Sequence, residues 1–160
     1  MMARGTRTTL FLAVAILLLA IPARAAGGAA WRTDFRKAVA RATRLHRPLL
    51  LAFTGSDWCD RCRSLKVEVF DTPEFNAWAR KTVVLVEVDF PKSVRQKASL
   101  RKRNRELADR FRDFLQDGYP TVLLLDPTGK KVLGELRYRE GGPNPWVEEA
   151  NRLVTAGGAE

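Results

Sequence analysis

Apolar and polar positions along this chain alternate between two kinds of block, continuous runs and helically spaced stripes. Leu49-Leu50-Leu51-Ala52-Phe53 is an unbroken apolar run, which predicts a central strand covered on both faces. Thr82 to Asp89 and Thr121 to Asp126 predict two more strands. Lys130 to Tyr138 predicts a fourth, joined to the third by the turn Asp126-Pro127-Thr128-Gly129. Trp31, Phe35, Val39 and Ala42 share a helical stripe, with Thr33 or Asp34 as a cap and His46-Arg47-Pro48 as its end. A helix over about Asp60 to Val69 follows the first strand. Thr72 caps the next helix and Pro73 opens it, with Phe75, Trp78 and Ala79 inward. Ser93 to Leu115 reads as one long amphipathic helix, and Asn144 to Thr155 as the last. Strands joined through helices favour parallel pairing, and the closing hairpin adds an antiparallel edge.

The first stretch stands apart. Arg4 and Arg7, the apolar run Leu10 to Ile21, and Ala23-Arg24-Ala25 form the layout of a secretory leader. The expected organisation is a signal peptide over 1–25 and one domain over 26–160. The apolar run is short for a membrane span, so membrane attachment is expected only through an uncleaved leader. Export predicts a periplasmic or secreted location.

Charge adds little to this picture. The chain carries 28 basic and 18 acidic residues, and losing the leader removes Arg4, Arg7 and Arg24. A basic balance can mean nucleic acid, but an exported protein rarely meets any, so none is expected as a partner. The basic run Arg95 to Arg112 reads as a solvated helix face, with Arg105 and Asp109 at (i, i+4) spacing. If that face docks anything, the expected partner is an acidic redox protein. His46 is the only histidine. With two cysteines it does not supply the four ligands zinc wants, so no metal and no other cofactor is expected.

Candidate chemistry centres on Cys59 and Cys62, the only cysteines, in Trp58-Cys59-Asp60-Arg61-Cys62. The predicted strand-to-helix junction places the first sulfur at a helix N-terminus, where unpaired N–H groups and the helix dipole stabilise a thiolate. The thiolate is the nucleophile of disulfide exchange. A structural bridge over so short a loop would constrain the unfolded chain weakly.

Phe53-Thr54-Gly55-Ser56-Asp57-Trp58-Cys59-Asp60-Arg61-Cys62, Val86 to Pro91 and Gly118-Tyr119-Pro120-Thr121-Val122 together resemble the thioredoxin superfamily. The likeness is greatest to exported thioredoxin-like proteins with a Gly-Ser-Asp-Trp-Cys-x-x-Cys loop. The chain is also similar to the C-terminal domain of the bacterial transmembrane thiol–disulfide reductase. The resemblance implies an α/β, thioredoxin-like fold, with a central mixed sheet of about four strands flanked by helices. It implies a thiol–disulfide oxidoreductase in which Cys59 attacks and Cys62 resolves. Trp58, Tyr119 and Pro120 would meet the substrate, with Pro120 after a cis bond. Thioredoxin's buried Asp is replaced by Ala52 or Phe53, which leaves Glu87 as a candidate proton acceptor. Disulfide-containing protein substrates and a redox partner protein are the implied partners, and no dimerisation segment is evident, so a monomer is expected. The competing expectation is a non-catalytic binding or chaperone module whose disulfide is inert.

Overall fold

A computed structural model describes residues 28–157. The expected leader over 1–25 lies outside the described residues. Four strands form one sheet in the order β2-β1-β3-β4: β1 Leu49–Thr54, β2 Val84–Asp89, β3 Thr121–Leu125 and β4 Val132–Leu136. The helices are α1 Phe35–Leu45, α2 Asp60–Leu65, α3 Pro73–Thr82, α4 Ala98–Arg110 and α5 Pro143–Gly157. A π-helical segment, Lys66–Phe70, continues α2, and a 3-10 turn, Arg112–Phe114, follows α4.

Strand periodicity divides the core cleanly. Leu50, Ala52, Leu85, Val122 and Leu124 face one side, against Leu65, Val69, Phe70, Phe75, Trp146 and Ala150. Leu49, Leu51, Phe53, Val86, Val88, Leu123 and Leu125 face the other, against Ala38, Ala42 and Phe111. Successive strand residues point to opposite faces, so an all-apolar β1 belongs between two helical layers.

Three sequence expectations change. Trp31 lies before α1 rather than on it. Asp34 adopts an extended conformation and accepts the Lys37 amide, which starts the helix at Phe35. Arg32 instead pairs in parallel with Val86, and Trp31 turns to the opposite side of the sheet, against Phe70 and Phe75. Second, α4 begins at Ala98, because the amides of Lys92, Ser93 and Val94 wrap the Asp57 carboxylate instead of entering a helix.

Third, β3 runs antiparallel to β1, while β2 is parallel to it. Asp89 pairs with Thr54 and Thr121 with Phe53, so the long connection leaves and re-enters the sheet at the same end. The returning stretch is held by Arg137, which donates to the carbonyls of Phe114 and Gly118. The outcome is functional as well as topological. The ends of β1 and β2 and the start of β3 meet, and the loops they carry hold the cysteines, Phe90 to Val94, and Tyr119-Pro120.

Candidate active site

β1 ends at Thr54, and Gly55 begins the turn that carries Trp58 and Cys59. The amides of Trp58 and Cys59 both donate to the Gly55 carbonyl, at 3.2 and 2.9 Å. Gly55 has to be a glycine: a Cβ there would lie 2.6 Å from the indole Nε1 of Trp58. Cys59 is the N-cap of α2, and its Sγ accepts the Cys62 amide at 3.2 Å. An N-cap side chain ordinarily satisfies one of the orphan N–H groups with oxygen. Sulfur occupies that position here, so negative charge on Cys59 meets a donor and the positive end of the helix.

The pair is present as a disulfide, with Cα atoms 5.2 Å apart. Cys59 is 8% exposed and Cys62 5%. Flanking side chains pack around the pair. Trp58, 40% exposed, tilts against Tyr119 with ring centroids 5.9 Å apart, and Tyr119 stacks on Phe90 at 5.6 Å. Burial raises the pKa of the Tyr119 phenol, which keeps it neutral. The Tyr119–Pro120 peptide is cis.

Polar bonds bolt the turn to the end of β2. The Ser56 amide and hydroxyl both donate to the Asp89 carboxylate, at 2.9 and 2.7 Å. Trp58 Nε1 donates to the Phe90 carbonyl at 2.7 Å, and the Lys92 ammonium sits 4.1 Å over the indole. The amide of Lys92 holds the Asp57 carboxyl below its usual pKa, opposed by some burial and helped by the amides of Ser93 and Val94. Sequence reasoning missed Asp57 and Lys92 as parts of the site. An Asp in a turn is a signal for amide capture, but the segment it captures lies far along the chain.

The Cys62 side is different. A cavity of about 260 Å³ is lined by Cys62, Pro120, Ala52, Glu87 and Lys66 among others. Glu87 pairs in register with Ala52, so the two share a face of the sheet. Its carboxyl therefore stands beside the position where thioredoxin's acid was sought, on the neighbouring strand. β2 is an edge strand, yet Glu87 is only part exposed. Burial raises its pKa, the Asp89 charge raises it further, and Lys66 opposes both. Lys66 itself pairs with Asp71 at 2.6 Å rather than with the cysteines. Asp60 pairs with Arg63 at the surface. Among the described residues, no group of three or more His, Cys, Asp or Glu could hold a metal ion.

Comparison with known proteins agrees with this geometry. A family model described as thioredoxin-like matches residues 30–127. The chain is 30% identical over 130 residues to the disulfide bond reductase DsbH of Chlamydia pneumoniae, covering 81% of this chain and 75% of that one. It is 31% identical over 127 residues to the thioredoxin-related protein DsbJ of the same organism, covering 76% of this chain but 36% of that longer one. A solved DsbH oxidoreductase superposes with a TM-score of 0.75 at 26% identity, over 95% of both chains. A thioredoxin from Thermus thermophilus shares the fold at a TM-score of 0.60 and 21% identity, over 82% of this chain and 92% of that one.

Proposed function

Since the chain belongs to the thioredoxin-like family and is a thiol–disulfide oxidoreductase, we propose that it works in the reducing direction, on disulfide-bonded proteins outside the cytoplasm. Reduced Cys59 attacks a substrate disulfide as the thiolate. One substrate sulfur leaves as a thiolate and the other is held in a mixed disulfide with Cys59. Cys62 then loses its proton to Glu87 and attacks the Cys59 sulfur. The second substrate thiolate departs, and the protein is left with the Cys59–Cys62 bond seen here. A dithiol on a redox partner protein must reduce that bond before the next turnover.

One observation carries this reading: the Cys59 sulfur accepts an amide at the mouth of α2, beside Trp58 and Tyr119. Trp58 offers the flat apolar surface a substrate chain can lie on, and Tyr119 and Pro120 border it. The relative named a disulfide bond reductase supports this direction and also favours catalysis over an inert scaffold. Dithiol-dependent insulin reduction tests the roles. Cys59→Ser is expected to abolish it, and Cys62→Ser to accumulate mixed disulfides visible by mass spectrometry. Wild-type rates in Cys59→Ser would refute the assignment. Equilibration with a dithiothreitol or glutathione buffer tests the direction. A midpoint near thioredoxin's ~−270 mV supports a reductase, and one near the ~−120 mV of a strong oxidant refutes it.

Export rests on the leader pattern of Arg4, Arg7, Leu10 to Ile21 and Ala23-Arg24-Ala25. N-terminal sequencing of the protein from its native compartment is expected to begin at Ala26. A full-length cytoplasmic protein would end the proposal.

A further inference from the structure

The loop that leaves β2 beside the cysteines opens into a second concavity, of about 380 Å³, lined by Phe90, Lys92, Val94, Arg95, Arg101 and Arg105 among others. Arg101 and Arg105 stand one turn apart on α4, and Arg95 reaches the groove from the preceding loop. Among the described residues no carboxylate lies within ion-pair distance of any of these four cations. The Arg105–Asp109 pair suggested by spacing is not formed. The Asp57 oxygens are taken up by the amides of Lys92, Ser93 and Val94, and the Asp89 carboxylate by Ser56. Four cations therefore line the groove, and no carboxylate lines it with them.

The groove is also joined to the site. Phe90 stacks on Tyr119, Tyr119 packs on Trp58, and Lys92 lies over the Trp58 ring. Val94, 64% exposed, and Trp58, 40% exposed, are two of the three large apolar side chains that stand out to solvent among the described residues. They flank Lys92 on either side. A chain whose cysteine reaches Cys59 across Trp58 would run on over this strip and into the arginines.

We infer that the groove holds an acidic segment of the protein substrate, flanking the cysteine that Cys59 attacks. Charge complementarity sets the occupant's chemistry, and the aromatic strip sets its path. A concave shape joined to Trp58 through Phe90, Tyr119 and Lys92 favours an extended peptide over a flat anionic membrane. The inference rests on the reductase reading, because that reading is what places a substrate chain across Trp58.

The test uses fluorescein-labelled, cysteine-free peptides, one Glu-rich, one Lys-rich and one uncharged, with binding read by anisotropy. The Glu-rich peptide is expected to bind the wild-type protein about tenfold tighter than the uncharged one at low salt, the sum of a few exposed ion pairs. That preference is expected to vanish at about 0.5 M salt and in Arg95→Gln/Arg101→Gln/Arg105→Gln. Equal binding of all three peptides overturns the inference, and so does a preference that survives the triple substitution. If that variant does not fold, the wild-type salt dependence and Arg101→Gln alone decide. Phosphatidylglycerol vesicles are the competing arm. Vesicles that bind through the same arginines and displace the peptide overturn the assignment in favour of a membrane. Reduction of an uncharged disulfide peptide by the wild-type protein is read separately. Inertness there refutes the reductase reading, while the anisotropy still decides the groove.

Discussion

Glu87→Gln separates the proton route from everything else at the site. Glutamine keeps the shape and removes the titration. Glu87 lines the same cavity as Cys62 and shares a sheet face with Ala52. A positioned general base contributes typically about 10²–10⁴-fold. The cavity has room for water, which can carry the proton in the variant, so the low end applies: a loss of about 100-fold, or about 2.7 kcal/mol of barrier. Ellman's reagent resolves the steps. Reduced protein releases one thionitrobenzoate when Cys59 attacks and a second when Cys62 resolves. The second release is expected to slow about 100-fold at pH 7, with the first unchanged. In the wild type the second rate climbs as pH passes the raised pKa of Glu87, and the variant lacks that rise. Stability gives an independent check. The folded carboxyl titrates above its ordinary value of 4.5, chiefly through burial. The folded state therefore holds the proton longer than the unfolded chain, and stability is lost as pH rises from 4.5 through the folded value. Glu87→Gln removes that loss, so its melting temperature should exceed the wild type's at pH 7 and match it near pH 4. Equal slowing of both releases, or a lower melting temperature at pH 7, would refute the reasoning.

Two further outcomes follow from packing. Gly55→Ala places a methyl 2.6 Å from the Trp58 Nε1 and should push the indole off the Phe90 carbonyl. Its kcat/KM for insulin should fall about as far as that of Trp58→Ala, and an unchanged value would show that the indole's seat is unimportant. Phe75→Ala empties a fully buried position surrounded by Trp31, Phe70, Trp78 and Trp146. Urea unfolding should show a loss of about 3–5 kcal/mol, and a loss under about 1 kcal/mol would mean the cluster collapses to fill the space.

Much of this was legible from local pattern. The apolar run at Leu49 to Phe53 marked a two-sided central strand, and Thr72-Pro73 marked a helix start, because both signals are contained in a few neighbouring residues. The failures share a cause. Trp31 has helical spacing to Phe35, yet Asp34 caps the helix between them. Ser93 to Lys97 carries no helix breaker, yet Asp57, more than thirty residues earlier, captures its amides. The direction of β3 depends on where a long connection returns, which Arg137 helps determine from just past the end of β4. Each is a contact distant in sequence. The cysteine pair was plain at once, because two cysteines with that spacing at a strand end leave few uses. Its narrow exposure was not, since three segments have to converge to produce it.

In the proposed cycle, β2 links the two halves of the reaction. Asp89, at its end, takes both Ser56 donors and so anchors the turn that presents Trp58 and Cys59. Glu87, two residues earlier and on the same face, reaches the cavity that Cys62 lines. The spacing is the strand's own, since residues i and i+2 point the same way. The two carboxylates also sense each other, because the charge on Asp89 helps raise the pKa of Glu87. The anion that fixes the turn of Cys59 thus helps Glu87 keep a proton. In the proposed cycle, attack at Cys59 would use the outer, aromatic side of this arrangement, and resolution at Cys62 the inner, acidic side. The strand itself is held on both borders, by β1 in parallel register over Leu49 to Thr54 and by Arg32, which bonds the backbone of Leu85 and Glu87.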